Sequence, residues 1–218
     1  MVSVKRSYVG LMHAAARLGP MAKLAADARE RDAYGWRRWA ASLLAIYDTR
    51  AMVRLGLPWW NVAATREVER FLKARPAARV FEYGAGASTA WLAKRAAEVI
   101  SVEHDQAFIG DFREMLLPFK NARMLERSIE DGPEAYVNAI GEMGGQFDMV
   151  VIDGRYRADC LRAAISCLKP NGIVLFDDSG RKRYRGAIEA SGLSEAHHYG
   201  RSFCVPYPDH TSILTRRG

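Results

Sequence analysis

The sequence predicts a single α/β domain on a mostly parallel sheet, preceded by an arm of helices, and three observations predict it. The 218 residues give room for one full core and a modest addition, while two independent domains would be cramped. From Pro76 onward short β-rich runs alternate with helical ones, the pattern of parallel strands joined by crossover helices. Before Pro76 the apolar residues recur only at the three-or-four spacing of helix faces.

In the arm, Val4, Tyr8, Leu11, Met12, Ala15 and Leu18 lie on one helix face, and Gly19-Pro20 is expected to end that helix. Trp36, Trp39, Ala40, Leu43, Tyr47 and Ala51 read as one longer amphipathic helix stopping near Gly56-Leu57-Pro58. A third begins after Trp60-Asn61, carries Val68 and Phe71, and ends before Pro76 can continue it. The arm is thus 1–75 and the body 76–218. In the body, strands are predicted at 79–83, 99–103, 123–125, 147–152, 172–176, 196–199 and 212–215. Helices are predicted near 89–97, 107–117, 133–140, 157–168 and 183–190. The final connection holds no helical pattern, so the closing two strands should form an antiparallel pair.

Hydrophobic residues at 49% and charged residues at 26% are ordinary for a globular chain. The net charge of +7 comes from Lys and Arg spread along the chain, with clusters at Arg37-Arg38, at 181–185 and at Arg216-Arg217. These clusters are short and scattered, so a solvated basic surface is expected and nucleic acid is not the expected partner. Three cysteines, Cys160, Cys167 and Cys204, lack paired metal-ligand spacing and argue against a disulfide framework. The seven-residue step from Cys160 to Cys167 reads as buried helix packing. No run approaches the roughly 18 apolar residues of a membrane span, and a cytoplasmic location is expected.

The segment from Val80 to Thr89 sets small residues directly after a buried strand and before a helix, where backbone can approach a ligand closely. Gly84 permits the tight turn, and Gly86 removes the Cβ from the path of a cofactor. Glu103 closes the next strand, 21 positions after Glu82, where a carboxylate can accept hydrogen bonds from both ribose hydroxyls of an adenosyl group. Nicotinamide enzymes share that spacing. Two residues point away from them: Thr89 stands where the dinucleotide pattern wants glycine, and a carboxylate at Glu82 would repel a pyrophosphate. The same carboxylate can help hold the cationic amino end of S-adenosylmethionine.

The run FEYGAGAS followed by VISVEHD resembles the first two cofactor motifs of class I S-adenosylmethionine-dependent methyltransferases. Downstream, FDMVVIDGRYR resembles that family's fourth-strand motif, and LKPNGIVLFDDS its fifth strand with the preceding Pro-x-Gly turn. The likeness covers residues 76 to 218 in order and does not extend to the arm. It implies a Rossmann-like seven-stranded sheet with the last strand antiparallel, and a cofactor across the carboxyl ends of the first strands. By that resemblance Glu82, Gly84, Ala85 and Gly86 line the methionine and ribose, with Tyr83, Ser88 and Thr89 in the same turn. Glu103 takes the ribose hydroxyls, His104 and Asp105 border the adenine, Ser128 and Ile129 lie against its ring, and Asp153 and Gly154 close the site. Ser88 stands where the family often has a third glycine.

Asp153 and the pair Asp177-Asp178 follow apolar runs and should emerge together at the sheet's carboxyl edge, as the catalytic end of the site. Three carboxylates together need protonation, hydrogen bonding or a cation. A divalent ion with oxygen ligands is one solution, and the arrangement is similar to that of catechol-type O-methyltransferases. Here Asp178 replaces that family's Asn, and the run Gly154-Arg155-Tyr156-Arg157 replaces its lysine. In the other solution Asp153 touches cofactor or substrate while Asp177 and Asp178 pair with Arg155, Arg157 or Arg181, and no metal ligand is assigned. Methyl transfer needs in-line alignment and, for a protonated acceptor, a base, for which Asp153 is the first candidate. Arg155, Arg157, Arg181 and Arg183 could orient an anionic acceptor. Trp59 and Trp60 serve either an acceptor pocket or packing between arm and body. His197 and His198 should point to opposite faces of the sixth strand and carry no catalytic role.

The function expected is therefore a methyltransferase acting through S-adenosylmethionine on oxygen of a small molecule or sugar-like metabolite. A nicotinamide-dependent oxidoreductase, or a non-catalytic nucleic-acid-binding protein on the same fold, are the alternatives. The sequence fixes neither the acceptor atom nor the oligomeric state.

Overall fold

The computed structural model describes residues 2–217. The seven strands among them are β1 (Arg79–Tyr83), β2 (Glu98–Glu103), β3 (Ala122–Glu126), β4 (Phe147–Ile152), β5 (Leu168–Asp177), β6 (Ser194–Gly200) and β7 (Asp209–Thr215). They form one sheet in the order β3-β2-β1-β4-β5-β7-β6, in which only β7 runs antiparallel to its neighbours. This is the Rossmann-like architecture expected. The order reverses between β1 and β4, and ligands of open α/β sheets bind outside the carboxyl ends of strands at such a switch point.

Alternation along each strand splits the core into two layers. Phe81, Tyr83, Ile100, Val102, Val150, Ile152 and Phe176 face one side, covered by α8 (Glu134–Val137), α9 (Ala139–Glu142), α10 (Arg157–Cys167) and α11 (Lys182–Ala190). Val80, Val99, Met149, Val151 and Leu175 face the other, against α5 (Val62–Lys73) and α6 (Ala87–Ala93). Helix α7 (Gln106–Leu116) joins β2 to β3 and buries Ile109, Phe112 and Leu116. The helix expected over 133–140 is divided at Asn138, which serves as the C-cap of α8 and the N-cap of α9.

The arm departs more from expectation. Gly19-Pro20 ends α1 (Val2–Ala16) but also opens α2 (Gly19–Ala28), with Pro20 in the first turn, where its missing N–H leaves no intrahelical bond unmade. The single helix expected from Trp36 is two, α3 (Trp36–Leu43) and α4 (Thr49–Leu55). Tyr47 takes a left-handed φ of 56°, and Asp48 restarts the helix by accepting the Ala51 N–H at 2.8 Å. Buried Arg38 donates to the Leu55, Arg29 and Arg31 carbonyls, satisfying helix-end acceptors that packing hides from water. Asn61 caps α5, as expected, by accepting from Ala63 and Ala64.

The arm docks on the irregular segment between β6 and β7. Trp39 Nε1 donates to the Ser202 carbonyl at 2.7 Å, Cys204 N to Ser42 Oγ at 3.0 Å, and Phe203 N to the Trp60 carbonyl at 3.1 Å. Phe203, Cys204, Met52, Leu57 and Ala87 share a third apolar cluster there. All three cysteines are free, Cys160 and Cys204 buried and Cys167 half-buried. Among the described residues no helix is long and apolar enough to cross a membrane.

Candidate active site

Strand register decides which residues meet at the switch point. Tyr83 of β1 lies opposite Val102 of β2 and Ile152 of β4, so the residues that follow, Gly84, Glu103 and Asp153, emerge side by side. Ile152 lies opposite Phe176, and Asp177 opposite Thr211, which extends the row to Asp153, Asp177 and Thr211. A cavity of about 480 Å³ opens over this edge, within the range of small-molecule and cofactor sites. Its floor carries Gly84, Ala85, Gly86, Glu103 and Asp153. Tyr47, Met52 and Trp59 of the arm and Val205 and Tyr207 of the β6–β7 segment wall it.

Gly84 is a steric requirement. Its φ is +94°, and a Cβ there would lie 2.8 Å from Gly154 Cα, because the turns after β1 and β4 touch backbone to backbone. A Cβ on Gly154 would in turn strike the Tyr136 hydroxyl. Gly86, by contrast, has only Ser88 Oγ near its Cβ position, at 3.8 Å, so its missing side chain leaves open floor.

Glu103 is almost fully buried and turned toward the glycine turn. Its Oε2 accepts the Ala85 N–H at 3.1 Å, and its Oε1 accepts the N–H groups of His104 at 2.8 Å and Asp105 at 3.0 Å. The His104 ring stands 2.7 Å from the same Oε1 through Nδ1. Backbone donors aim the carboxylate, and Oε2, with one protein donor, keeps acceptor capacity on the cavity side.

Glu82 does not face the cavity. It shares the strand face of Val80, which packs under α6, and is wholly buried there. Ser88 Oγ, Thr89 Oγ1 and Ser101 Oγ donate to it at 2.5, 2.5 and 2.6 Å. Burial pushes its carboxyl up to about 7 against those hydrogen bonds, with the nearby charge of Asp153 raising it further. The expected contact with an amino group is replaced by a support under the turn, in which Thr89 also accepts the Gly86 N–H at 3.0 Å.

The other expected cofactor residues divide similarly. Ala85, Gly86, Ser88, His104 and Gly154 line the cavity. Tyr83 points into the core and donates to the Val137 carbonyl at 2.7 Å. Asp105 caps α7 by accepting from Ala107 and Phe108. Ser128 and Ile129 stand outside the cavity, Ser128 accepting the Glu130 N–H and Ile129 packing on the core.

Asp153, Asp177 and Asp178 do come together, around the Arg157 guanidinium. Arg157 Nη2 donates to Asp153 Oδ1 at 3.0 Å, and its Nη1 stands 3.0 Å from Asp178 Oδ2 and 3.8 Å from Asp177 Oδ2. Asp153 Oδ2 accepts the Trp60 indole N–H at 3.1 Å, Asp177 Oδ1 accepts Thr211 Oγ1 at 2.7 Å, and Asp178 also pairs with Arg181 at 2.8 Å. Burial raises the Asp153 carboxyl to about 6; Arg157 opposes this and Asp178 adds to it. Burial, then Asp153, push Asp177 well above the usual carboxylate range. Of the two solutions open in the sequence, the structure takes the arginine. Among the described residues no group of three or more His, Cys, Asp or Glu is arranged to hold a metal ion.

Trp60 was legible as packing but not as a donor, because nothing local ties it to a residue 93 positions away. Of the two histidines, His197 contacts His210 of β7 and His198 contacts Glu67 of α5, both outside the cavity.

Residues 81–179 match a family model described as a methyltransferase domain. No curated protein matches the chain. Among solved structures the fold is similar to the O-methyltransferase TomG from Streptomyces achromogenes, in complex with SAM. TomG is 15% identical at a TM-score of 0.61, over 81% of this chain and 90% of that one. It is similar to an rRNA methylase from Streptococcus thermophilus, 10% identical at a TM-score of 0.53, over 70% and 96%. It is also similar to precorrin 8W decarboxylase from Methanobacterium thermoautotrophicum, 17% identical at a TM-score of 0.52, over 74% and 94%. At these identities the likeness is one of fold.

Proposed function

We propose that this chain, which has the class I methyltransferase fold and a methyltransferase domain over residues 81–179, transfers the methyl group of S-adenosylmethionine to an oxygen of a small hydroxylated molecule. The observation that carries the reading is Glu103. A carboxylate fixed by three backbone N–H groups, one of them from the glycine turn, borders the open floor at Gly86, which suits a ribose diol.

When bound, S-adenosylmethionine supplies an activated methyl on a sulfonium. The chain's own work is to orient and to take a proton. Ala85 and Gly86 offer backbone at the floor, Glu103 accepts from the sugar hydroxyls, and the arm's Tyr47, Met52 and Trp59 exclude water from the opposite side. Asp153 is placed to accept the hydroxyl proton of the acceptor as its oxygen takes the methyl, leaving the demethylated cofactor neutral at sulfur. With its carboxyl near 6, Asp153 is largely ionised at neutral pH and more basic than an ordinary aspartate. The carboxylate-rich floor and aromatic walls favour a polyhydroxylated acceptor over a purely apolar one.

The test is transfer of radiolabelled methyl from S-adenosylmethionine to a panel of sugars, phenols and carboxylic acids. The reading expects label on hydroxyl oxygen and a loss of at least about 100-fold in Asp153→Asn. Label on nitrogen or carbon, or full activity in that variant, contradicts it.

A further inference from the structure

The Asp153–Asp177–Asp178 edge is the place where a hydroxyl-methylating site of this fold could use a divalent cation, and here the space between the carboxylates is filled. Arg157 begins α10 one residue after Tyr156, whose left-handed φ of 47° turns the chain back toward the sheet. Its guanidinium has five N–H donors, four of which make hydrogen bonds within the protein, and an ion pair to Asp178 completes its surroundings. Nε donates to the Gly154 carbonyl at 3.0 Å. Nη1 donates to the Asp177 carbonyl at 2.5 Å and faces Asp178 Oδ2 at 3.0 Å. Nη2 donates to the Asp153 carbonyl at 3.1 Å and to Asp153 Oδ1 at 3.0 Å. The side chain is 10% exposed, so this cation is neither a solvated surface charge nor free to swing away.

We infer that Arg157 is a built-in cation that stands where a divalent metal would otherwise stand: its single charge offsets part of the repulsion among the three carboxylates and fixes Asp153 in the orientation from which it meets the acceptor. Magnesium requires near-octahedral oxygen ligands at about 2.0–2.1 Å. Asp153 Oδ1 and Asp178 Oδ2, which would supply two of them, already lie 3.0 Å from the guanidinium, and a second positive centre among them would meet Arg157 at contact distance. Asp153 is then held from both sides, Oδ1 by Arg157 and Oδ2 by the Trp60 N–H. With Asp177 also hydrogen-bonded to it, the carboxylate keeps one of its four acceptor positions for an incoming hydroxyl. Arg157 is a positioning residue in this account, since its donors are used up within the protein. The inference deepens the proposed reaction and rests on it for the identity of the base, while the cation's placement stands on geometry alone.

The test is metal binding and melting of the full chain, followed separately from methyl transfer. Wild-type protein mixed with equimolar Mn²⁺ should leave the free-ion electron paramagnetic resonance signal undiminished and should melt at the same temperature in EDTA and in Mg²⁺. Arg157→Gln at neutral pH should melt about 10 °C lower. It should recover as the pH falls and the carboxylates protonate, or on addition of Mn²⁺ or guanidinium. Carbon-13 NMR of labelled aspartate should show the Asp153 titration moving to higher pH in that variant, a change that loose packing alone would not produce. Should Arg157→Gln fail to fold, Arg157→Lys, which keeps one charge, is expected to fold and still to exclude Mn²⁺.

One equivalent of Mn²⁺ bound by wild-type protein and lost in Asp178→Asn overturns the inference. So does an Arg157→Gln protein that melts and titrates as wild type does. Calorimetry with S-adenosylmethionine on the same wild-type sample keeps the two claims apart: absence of binding sinks the proposed reaction and leaves the cation result standing.

Discussion

The two halves of the sheet edge are built by different means. At β1 and β2 the site is made of main chain: Gly84 touching Gly154, and Glu103 held by the N–H groups of Ala85, His104 and Asp105. Every hydrogen bond of the Glu103 carboxylate lies within 18 residues of sequence. At β4 and β5 the site is made of side chains brought from afar: Trp60 reaches Asp153 across 93 residues, and Thr211 reaches Asp177 across 34. The first half depends on backbone conformation, which a single Cβ can destroy. The second depends on charge balance and on donors from the arm, which fail gradually. We therefore expect cofactor affinity to follow the first half and proton transfer to follow the second.

The largest break in that contrast should come from Gly84→Ala. A residue with a Cβ at φ +94°, against the Gly154 backbone, should cost about 2–4 kcal/mol in a urea melt. It should also abolish cofactor binding, because the turn cannot keep its shape. Ala at Gly86, where the nearest atom is 3.8 Å away, should leave the melt almost unchanged and impair binding alone.

Glu82 supplies a test of what lies beneath the turn. Its folded-state carboxyl stands near 7, above the ordinary value near 4.3. The folded protein therefore binds that proton more tightly than the unfolded chain does. The corresponding stability is fully present below about pH 4.3 and is lost as pH rises through about 7, a change on the order of 3 kcal/mol. Asp153, near 6, adds a loss of the same sign over a lower window. Chemical denaturation at a series of pH values should show the decline in wild type and a flatter curve in Glu82→Gln. An unchanged curve would mean that the three hydroxyls hold Glu82 ionised throughout.

Trp60→Phe sharpens the other side. It keeps the buried ring and removes the N–H to Asp153, at a cost of about 1 kcal/mol. The acidic limb of the pH–rate profile should move to higher pH, since that hydrogen bond favours the ionised carboxylate, with cofactor affinity unaltered. The smallest effect should be at Arg113→Ala. Its pair with Glu126 lies on the surface, and a melt should shift by about 0–1 kcal/mol.

The same division explains what the sequence disclosed. The strands 79–83 and 147–152 match β1 and β4 to the residue, because buried parallel strands are short apolar runs with sharp ends. Gly84 and Glu103 lie where the sequence placed them, at the ends of adjacent strands, because those strand ends are sharp in the sequence. Glu82 was misplaced for a reason that strand parity supplies: residue 82 shares the face of Val80, under α6, while 84 and 103 lie beyond the strand ends. In the arm, the apolar period runs unbroken past Tyr47 and hides the left-handed residue and the Asp48 cap that divide the helix. From the sequence Arg157 is one of three arginines available to Asp177 and Asp178, and its bond to Asp153 is not foreseen. The left-handed turn at Tyr156 that selects it leaves no mark in composition or spacing.

The central claim is that Glu103 and the glycine turn form an adenosyl site. Isothermal titration of S-adenosylmethionine and S-adenosylhomocysteine into wild type and Glu103→Gln tests it most directly. The account predicts one site per chain in wild type for both compounds, and affinity weaker by about 10–100-fold in the variant, the value of hydrogen bonds to a charged acceptor. Wild-type protein that takes up neither compound, or a variant that binds both as tightly as wild type, would contradict it.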